Sequence, residues 1–209
     1  MRRSALAILL ILAIAGPSSA KDVTLADTWV NYIIRTNINA PQKPADTMKV
    51  TGIAVGDYAF AMEETPLTTI AEYMGGRLHM TGDAGEAMTW LCYTTDSQAL
   101  YIYSDGEMGD GRPTAVVVDN RGGAPKSAGC SPYLGDTPVI DFGILMLGGS
   151  SKAVQSAYGQ VTPDETGSFA YGSITPQPGS DIMVQWQDVY YHETHGVIDA
   201  VGVLQETGD

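Results

Sequence analysis

Three histidines are the first candidates for catalysis or metal binding. His192 and His195 lie three positions apart, and His79 stands alone in the first half of the chain. Residues three apart point to opposite faces of a strand, so both imidazoles would reach one metal ion only on a turn. Zinc also needs a third protein ligand, which His79 or a carboxylate would have to supply. We interpret residues 192–195 as an exposed hairpin tip, with zinc chelation as the alternative.

Acidic residues form the next candidate group. The segment from Ser104 to Gly111 holds three acids in a glycine-rich loop, and alternating oxygen ligands are what calcium requires. Its order departs from the EF-hand loop, so a hairpin turn is favoured. The pairs Asp83/Glu86 and Glu63/Glu64 carry no specific signal in a chain with 24 acids. Motifs for serine hydrolases, zinc proteases and phosphate-binding loops do not occur in the sequence, and we predict no catalytic residue, no metal and no cofactor.

Aromatic residues in strand-like segments are the most suggestive group. Tyr101 and Tyr103 share one face of their strand, because alternate residues point to the same side. Tyr and Trp anchor protein interfaces, but they are equally ordinary core and cross-strand residues, so both interpretations remain open. The candidate interaction residues are Tyr93, Tyr101, Tyr103, Tyr171, Trp186 and Tyr191.

The first 20 residues predict export. Arg2 and Arg3 precede the apolar run from Ala5 to Ala15, and small residues lead up to Ala20. The apolar run of 11 residues is shorter than a membrane span, which needs roughly 20. A cleaved signal peptide is therefore favoured over an anchor. No Cys follows the cleavage point, so we expect a secreted or periplasmic mature chain from Lys21 without a membrane span.

The only cysteines are Cys92 and Cys130. In an exported chain an even number favours a disulfide, and a separation of 38 positions gives about 3 to 4 kcal/mol of stabilisation in the chain-entropy model. Neither cysteine has a neighbouring His or Lys, which argues against a reactive thiol pair.

The chain is acidic, with a formal net charge of -13 that becomes -15 once Arg2 and Arg3 leave with the signal peptide. An acidic surface without a Lys/Arg cluster repels phosphate groups. Nucleic acid and anionic membranes are therefore poor partners, and an unknown protein or envelope component remains.

Apolar pairs recur every four residues from Leu25 to Ile34 and predict a helix with its N-cap near Thr24. The proline-containing stretch from Asn37 to Asp46 is interpreted as a linker. The predicted organisation is a signal peptide at 1–20, an N-terminal helix and linker at 21–47, a first repeat at 48–120, a Gly/Pro connector at 121–138 and a second repeat at 139–209.

The same features occur in both repeats. A short helix begins at a cap, Thr65 or Ser150, and ends at Gly75 or Gly159, where glycine accepts a positive φ. Three strand-like runs follow each helix: Met88–Thr94, Leu100–Ser104 and Ala115–Asp119, then Ser168–Ile174, Ile182–Gln187 and Val197–Leu204.

Asp105 and Asp188, 83 positions apart, serve as matching landmarks of the two repeats. We predict an α+β fold of two pseudo-repeats, each a short helix packed on a three- to four-stranded antiparallel sheet, plus an N-terminal helix. The repeat helices are expected on one side of the sheet.

A helix that ends on Tyr-Gly or Met-Gly-Gly before a meander, present twice, resembles two known architectures. They are the small-lipoprotein A family of outer-membrane assembly factors and the tandem β-lactamase-inhibitor protein fold. The resemblance lies in Gly143–Gly148, Val154–Gly159, Tyr171 and Ile70–Gly76. It implies a concave sheet face that binds another protein, although the lipid-anchoring Cys of the first family has no counterpart here.

These observations favour an exported, non-enzymatic protein that binds another protein or an envelope component through an aromatic sheet face. A secreted hydrolase is one alternative, and would gather His79, His192 or several acids in a pocket. An adhesive or carbohydrate-binding module is the other, and would expose coplanar aromatic rings in a groove.

Overall fold

The computed structural model describes residues 25, 28–35, 42–43, 50, 52–82, 87–105, 111–121, 129–133 and 146–209. The predicted signal peptide, most of the linker and connector, the pair Asp83/Glu86 and the centre of the loop after Asp105 lie outside these residues. Within the described ranges, no helix has the length and apolar character to cross a membrane.

The fold class is α+β, as predicted. The helices are α1 (Trp29–Arg35), α2 (Leu67–Met74) and α3 (Ser151–Tyr158). The strands are β1 (Gln42–Lys43), β2 (Ile53–Val55), β3 (Tyr58–Phe60), β4 (His79–Thr81), β5 (Met88–Thr94), β6 (Ala99–Asp105), β7 (Ala115–Asp119), β8 (Ser131–Pro132), β9 (Ser168–Pro176), β10 (Val184–Thr194) and β11 (Val197–Gly208).

One sheet contains the strands of both repeats, in the order β1-β9-β10-β11-β7-β6-β5-β4, with β8 beside β5. The meanders β5–β6–β7 and β9–β10–β11 meet through the antiparallel pair β7–β11. The short strands β1 and β8 pair in parallel with β9 and β5, and β2 and β3 form a separate hairpin. Each predicted repeat therefore contributes a meander to the shared sheet and a helix that packs on it.

The register gives this sheet an internal two-fold symmetry. Val117 faces Gly202 at the centre, Tyr101 pairs with Val117, and Tyr190 pairs with Gly202. Tyr101 and Tyr190 thus occupy equivalent positions in the two meanders. The antiparallel contact between these two equivalent last strands joins the meanders into one sheet.

A matching hydrogen bond joins helix and meander in both repeats. The Tyr93 hydroxyl donates to the Gly75 carbonyl at 2.6 Å, and the Tyr171 hydroxyl donates to the Gly159 carbonyl at 2.6 Å. Both glycines follow a helix and have positive φ, 71° and 96°. The shared contact supports the predicted equivalence of the two helix ends.

The equivalence of Asp105 and Asp188 was wrong. Tyr101 matches Tyr190 in the symmetry, so the residue two positions before each, Ala99 and Asp188, also match. The loops between the strands differ in length in the two repeats, so the spacing between equivalent residues changes from strand to strand. A spacing of 83 positions therefore does not identify equivalent residues.

The helices cover opposite faces of the sheet. The repeat-helix face carries α2, α3 and the β2–β3 hairpin over a buried layer that includes Leu91, Tyr171 and Val201. The opposite side, the α1 face, is covered by Trp29, Val30 and Ile33 of α1. The two repeat helices share one side as predicted, and the N-terminal helix packs on the other.

Specific contacts hold α1 on the centre of the sheet. The Trp29 indole donates to Ser168 Oγ at 3.1 Å, and the Arg121 guanidinium lies 5.2 Å from the centre of the Trp29 ring. A Cβ added to Gly202 would lie 2.5 Å from Ile33 Cδ1, so glycine permits the close approach. The Thr28 hydroxyl accepts from Asn31 N at 3.3 Å at the helix start, whereas the predicted cap Thr24 lies outside the described residues.

Other boundaries differ modestly from the prediction. Ser150 caps α3 by accepting from Ala153 N, as expected, but Pro66 is the N-cap of α2 and the Thr65 hydroxyl accepts from Ala61 N instead. Gln42–Lys43, within the predicted linker, forms the edge strand β1.

The predicted disulfide is confirmed. Cys92 and Cys130 are bonded, with Cα atoms 4.8 Å apart, inside the range that a disulfide spans. The bond ties β5 to the connector between the repeats.

Candidate functional site

The six candidate aromatic residues do not share one open surface. Five are fully buried, with exposures of 4% or less: Tyr93, Tyr101, Tyr103, Tyr171 and Tyr191. They lie under helices on both faces of the sheet, because each face of this sheet has its own helical cover. The interaction hypothesis is therefore corrected for these five, which pack the core.

Burial changes the chemistry of these tyrosines. It raises the pKa of Tyr93 and of Tyr103 to about 12, so both hydroxyls stay protonated at neutral pH. Tyr191 stacks on Phe169 with ring centres 4.7 Å apart. Their contacts explain their positions without a partner.

Trp186 is the candidate that remains partly accessible. It is half-buried and lies on β10 four residues before Tyr190, and therefore on the α1 face. Its cross-strand neighbours are Ile174 on β9, 43% exposed, and Glu206 on β11. Ile182, in the turn before β10, is 70% exposed.

Carboxylates lie on the same face of the sheet as this tryptophan: Glu206 is its cross-strand neighbour, and Asp188 is two positions further along β10. Burial, and then the negative charge of Glu206, raise the pKa of Asp188 to about 6, although a hydrogen bond from Tyr190 opposes the shift. Burial, followed by the charges of Asp105 and Glu63, raises the pKa of Glu206. Mutual repulsion makes a positive charge favourable here. The Trp186 surface is defined by Ile174, Trp186, Asp188, Glu206 and Asp105.

The histidines do not meet. His192 Nδ1 lies 2.6 Å from Asp199 Oδ1, and the Thr194 hydroxyl donates to Asp199 Oδ2 at 2.6 Å. His195 is exposed at the tip of the β10–β11 hairpin with a φ of 55°, whereas His79 is 4% exposed and stacks on Trp90. In the part of the chain that the structure describes, no group of three or more His, Cys, Asp or Glu residues suits a metal ion.

A polar cleft of about 460 Å³ opens on the repeat-helix face, behind the Trp186 surface. Glu63 lies at its centre, in the segment between the β2–β3 hairpin and α2, with a φ of 59°. The residues lining this Glu63 cleft are Val50, Gly52, Ala61, Met62, Glu63, Glu64, Gln177, Gln185, Gln205 and Thr207.

Hydrogen bonds orient the Glu63 carboxylate. Its Oε2 accepts from Gln205 Nε2 and from the Thr207 hydroxyl, both at 2.8 Å, and from Gln185 Nε2 at 3.5 Å. Gln187 extends these hydrogen bonds further into the protein, because its Nε2 donates to Gln205 Oε1 at 2.9 Å. The side-chain amides of neighbouring strands thus form one connected network.

Gln187 and Gln205 are 2% and 6% exposed, so this network lies inside the protein. Gln187 also bonds both backbone groups of Val50, accepting from its N–H at 2.7 Å and donating to its carbonyl at 2.9 Å. Buried amides need such partners, because an unmade hydrogen bond in the interior is costly.

This cleft was not predicted, because Glu63 carries no specific signal in an acidic chain. A signal was nevertheless present in the strand pattern. Gln185 and Gln187 alternate in step with the buried Val189 and Tyr191, so polar residues occupy an inward-facing row. Polar residues at core positions often belong to a network or a site.

Comparisons with protein-family models, characterised proteins and solved structures found no match to this chain.

Proposed function

We propose that the mature chain is an exported, non-enzymatic binding protein that recognises a partner protein through the Trp186 surface. The observation that carries the proposal is the position of Trp186. It is the accessible member of the predicted aromatic set, and it lies between the exposed Ile174 and the carboxylate of Glu206. Partly exposed Trp beside aliphatic residues is typical of interface anchors.

The chemistry of the surface selects the partner. Burial is the main cause of the raised pKa of Asp188 and of Glu206, and repulsion between carboxylates adds to it. A basic segment would relieve that repulsion, and a Lys or Arg beside the indole adds a cation–π contact. Ile174 supplies apolar area next to the charges. The partner is therefore a protein with a basic segment that also carries apolar side chains.

Export rests on the charged and apolar order of residues 1–20, and the Cys92–Cys130 disulfide agrees with an oxidising compartment. The N-terminal residue of the exported protein, read by mass spectrometry, is expected to be Lys21. A retained Met1 would contradict export by this route.

Partner capture tests the surface directly. The mature chain is immobilised, exposed to the exporting cell's secreted and envelope fractions, and cross-linked, alongside the variants Trp186→Ala and Glu206→Gln. Tyr73→Ala is the matched control, because Tyr73 is 61% exposed but lies on α2, on the opposite side of the sheet. We expect a protein with a basic segment that Tyr73→Ala retains and both surface variants lose. Equal capture by all four chains would overturn the proposal.

A further inference from the structure

We propose that the Glu63 cleft is a separate binding site for a guanidinium group carried on an aliphatic stem. The cleft opens on the face opposite the Trp186 surface, and none of its described lining residues belongs to that surface. Its volume of about 460 Å³ falls within the range of small-molecule sites.

The central carboxylate is held in place before any ligand arrives. Glu63 is one of two described non-glycine residues with positive φ, a conformation that persists only where its surroundings impose it. Its N–H donates to the Pro113 carbonyl at 2.8 Å, and three side-chain donors converge on Oε2. A preorganised acceptor loses little freedom on binding.

Two acceptor atoms in this network have no hydrogen-bond partner among the described residues. Among the described residues, all hydrogen bonds to the Glu63 carboxylate go to Oε2, which leaves Oε1 available. Gln185 uses its Nε2 on Glu63, so its amide oxygen is also available, and Glu64 is exposed at the rim. The cleft thus offers two carboxylates and an amide oxygen to a ligand.

The lining selects the charge and class of the ligand. Among the described residues that line the cleft there is no Lys, Arg or His, so an anion would meet two carboxylates without compensation from them. The same described lining contains no aromatic side chain on which a sugar ring could stack. A cation with several N–H donors is the class that remains.

A guanidinium group fits these carboxylate and amide acceptors better than an ammonium group does. Its planar fork carries five donors and bridges acceptors that lie in different directions, and it is less strongly hydrated than an ammonium group. The stem would contact the apolar part of the lining, Val50, Ala61 and Met62. Free arginine-like molecules and an arginine side chain of a protein share this chemistry.

Calorimetric titration of the mature chain tests the site. The probes are L-arginine, the peptide acetyl-Ala-Arg-Ala-amide and L-citrulline, which replaces the guanidinium by an uncharged urea of the same shape. We expect L-arginine or the peptide to bind at least about tenfold more tightly than L-citrulline, because hydrogen bonds to a charged group are the stronger ones. Binding of the free amino acid indicates a small molecule, and binding of the peptide alone indicates a protein side chain.

Variants locate the site. Glu63→Gln keeps the shape of the side chain and is expected to weaken binding about tenfold or more, whereas Glu72→Gln, on the exposed side of α2, leaves it unchanged. Glu64→Gln, at the exposed rim, is a second variant that leaves the buried network intact and is expected to weaken binding. Trp186→Ala leaves arginine binding unchanged, which separates this site from the partner surface. Equal affinity for L-citrulline, or full binding by both Glu63→Gln and Glu64→Gln, would overturn the inference.

Discussion

The packing of α1 on Gly202 makes a sharp prediction for the variant Gly202→Ala. A methyl group at this position would lie 2.5 Å from Ile33 Cδ1 and 3.2 Å from Val117 Cγ2. Both neighbours are buried at 0% exposure, so either side chain can shift only by displacing other core atoms. The substitution therefore overpacks the contact between α1 and the sheet.

The expected cost follows from opposing terms. Overpacking a dense core costs typically about 1 to 3 kcal/mol, and the lower chain entropy of unfolded alanine returns about 0.4 to 1 kcal/mol. Detaching α1 would expose Trp29, Val30 and Ile33, at roughly 1.5 to 3 kcal/mol for each side chain. Because detachment costs more than the clash, α1 stays docked. Gly202→Ala is expected to lower the free energy of unfolding by about 1 to 2 kcal/mol.

A second substitution removes the clashing atom. Ile33→Val lacks Cδ1 and alone costs about 0.5 to 1.5 kcal/mol. In the double variant the added methyl occupies the space that Cδ1 leaves, so the combined loss should fall about 1 kcal/mol short of the sum of the single losses.

Urea denaturation followed by tryptophan fluorescence measures all four chains of this cycle. Gly52→Ala is the control, since a Cβ there would lie 3.9 Å from its nearest neighbour, the Phe60 carbonyl oxygen. Losses that add within about 0.5 kcal/mol would show that Ile33 does not pack on Gly202. The account of a sheet covered on both faces would then fail.

Three further predictions concern the repeats, the charges and the disulfide. Tyr93→Phe and Tyr171→Phe each remove one hydroxyl from an equivalent hydrogen bond, so each should cost about 0.5 to 1.5 kcal/mol and the losses should add; unequal or strongly coupled losses in urea would contradict the symmetry. The pKa of Asp188 is raised to about 6 in the folded chain, so the stability it contributes is present below about pH 4 and is lost as the pH rises through 6. Asp188→Asn should therefore gain stability relative to the wild type between pH 4 and pH 7, and a constant difference in urea midpoint would argue against the shift. Reduction of the Cys92–Cys130 bond should lower the free energy of unfolding by about 2 to 4 kcal/mol, and an unchanged denaturation midpoint after confirmed reduction would contradict that role.

Helices and strands were predicted correctly where neighbouring residues in the chain determine their ends. Met88–Thr94 and Ala115–Asp119 are strands with the predicted bounds, because aromatic and β-branched runs end at turn residues. Ser150 and Gly159 delimit α3 for the same reason, since capping depends on a few neighbouring residues.

Long-range packing was not accessible in this way. Alternation places Tyr101 and Tyr103 on one face, but it does not say whether a helix covers that face. The cover comes from α1, about 70 residues earlier in the chain, and Gly202 permits it from the last strand. Five of the six candidate interaction residues therefore lie in the core, and Trp186 is the one that is partly accessible.

The Glu63 cleft could not be predicted either, because it depends on contacts between distant parts of the chain. Its parts come from the segment after the β2–β3 hairpin and from β10 and β11, which lie more than 100 residues away along the chain. Composition gave no reason to select Glu63 from 24 acids, and its φ of 59° is set by the fold. The inward-facing glutamines were the one feature of the site that the sequence displayed.

The proposed function requires Trp186 to lie at the surface through which this chain binds a protein. Cross-linking capture from the secreted and envelope fractions, with Trp186→Ala beside the Tyr73→Ala control, tests it most directly. We expect a protein with a basic segment that the wild type and Tyr73→Ala both retain and Trp186→Ala loses. A partner held equally by Trp186→Ala would contradict it.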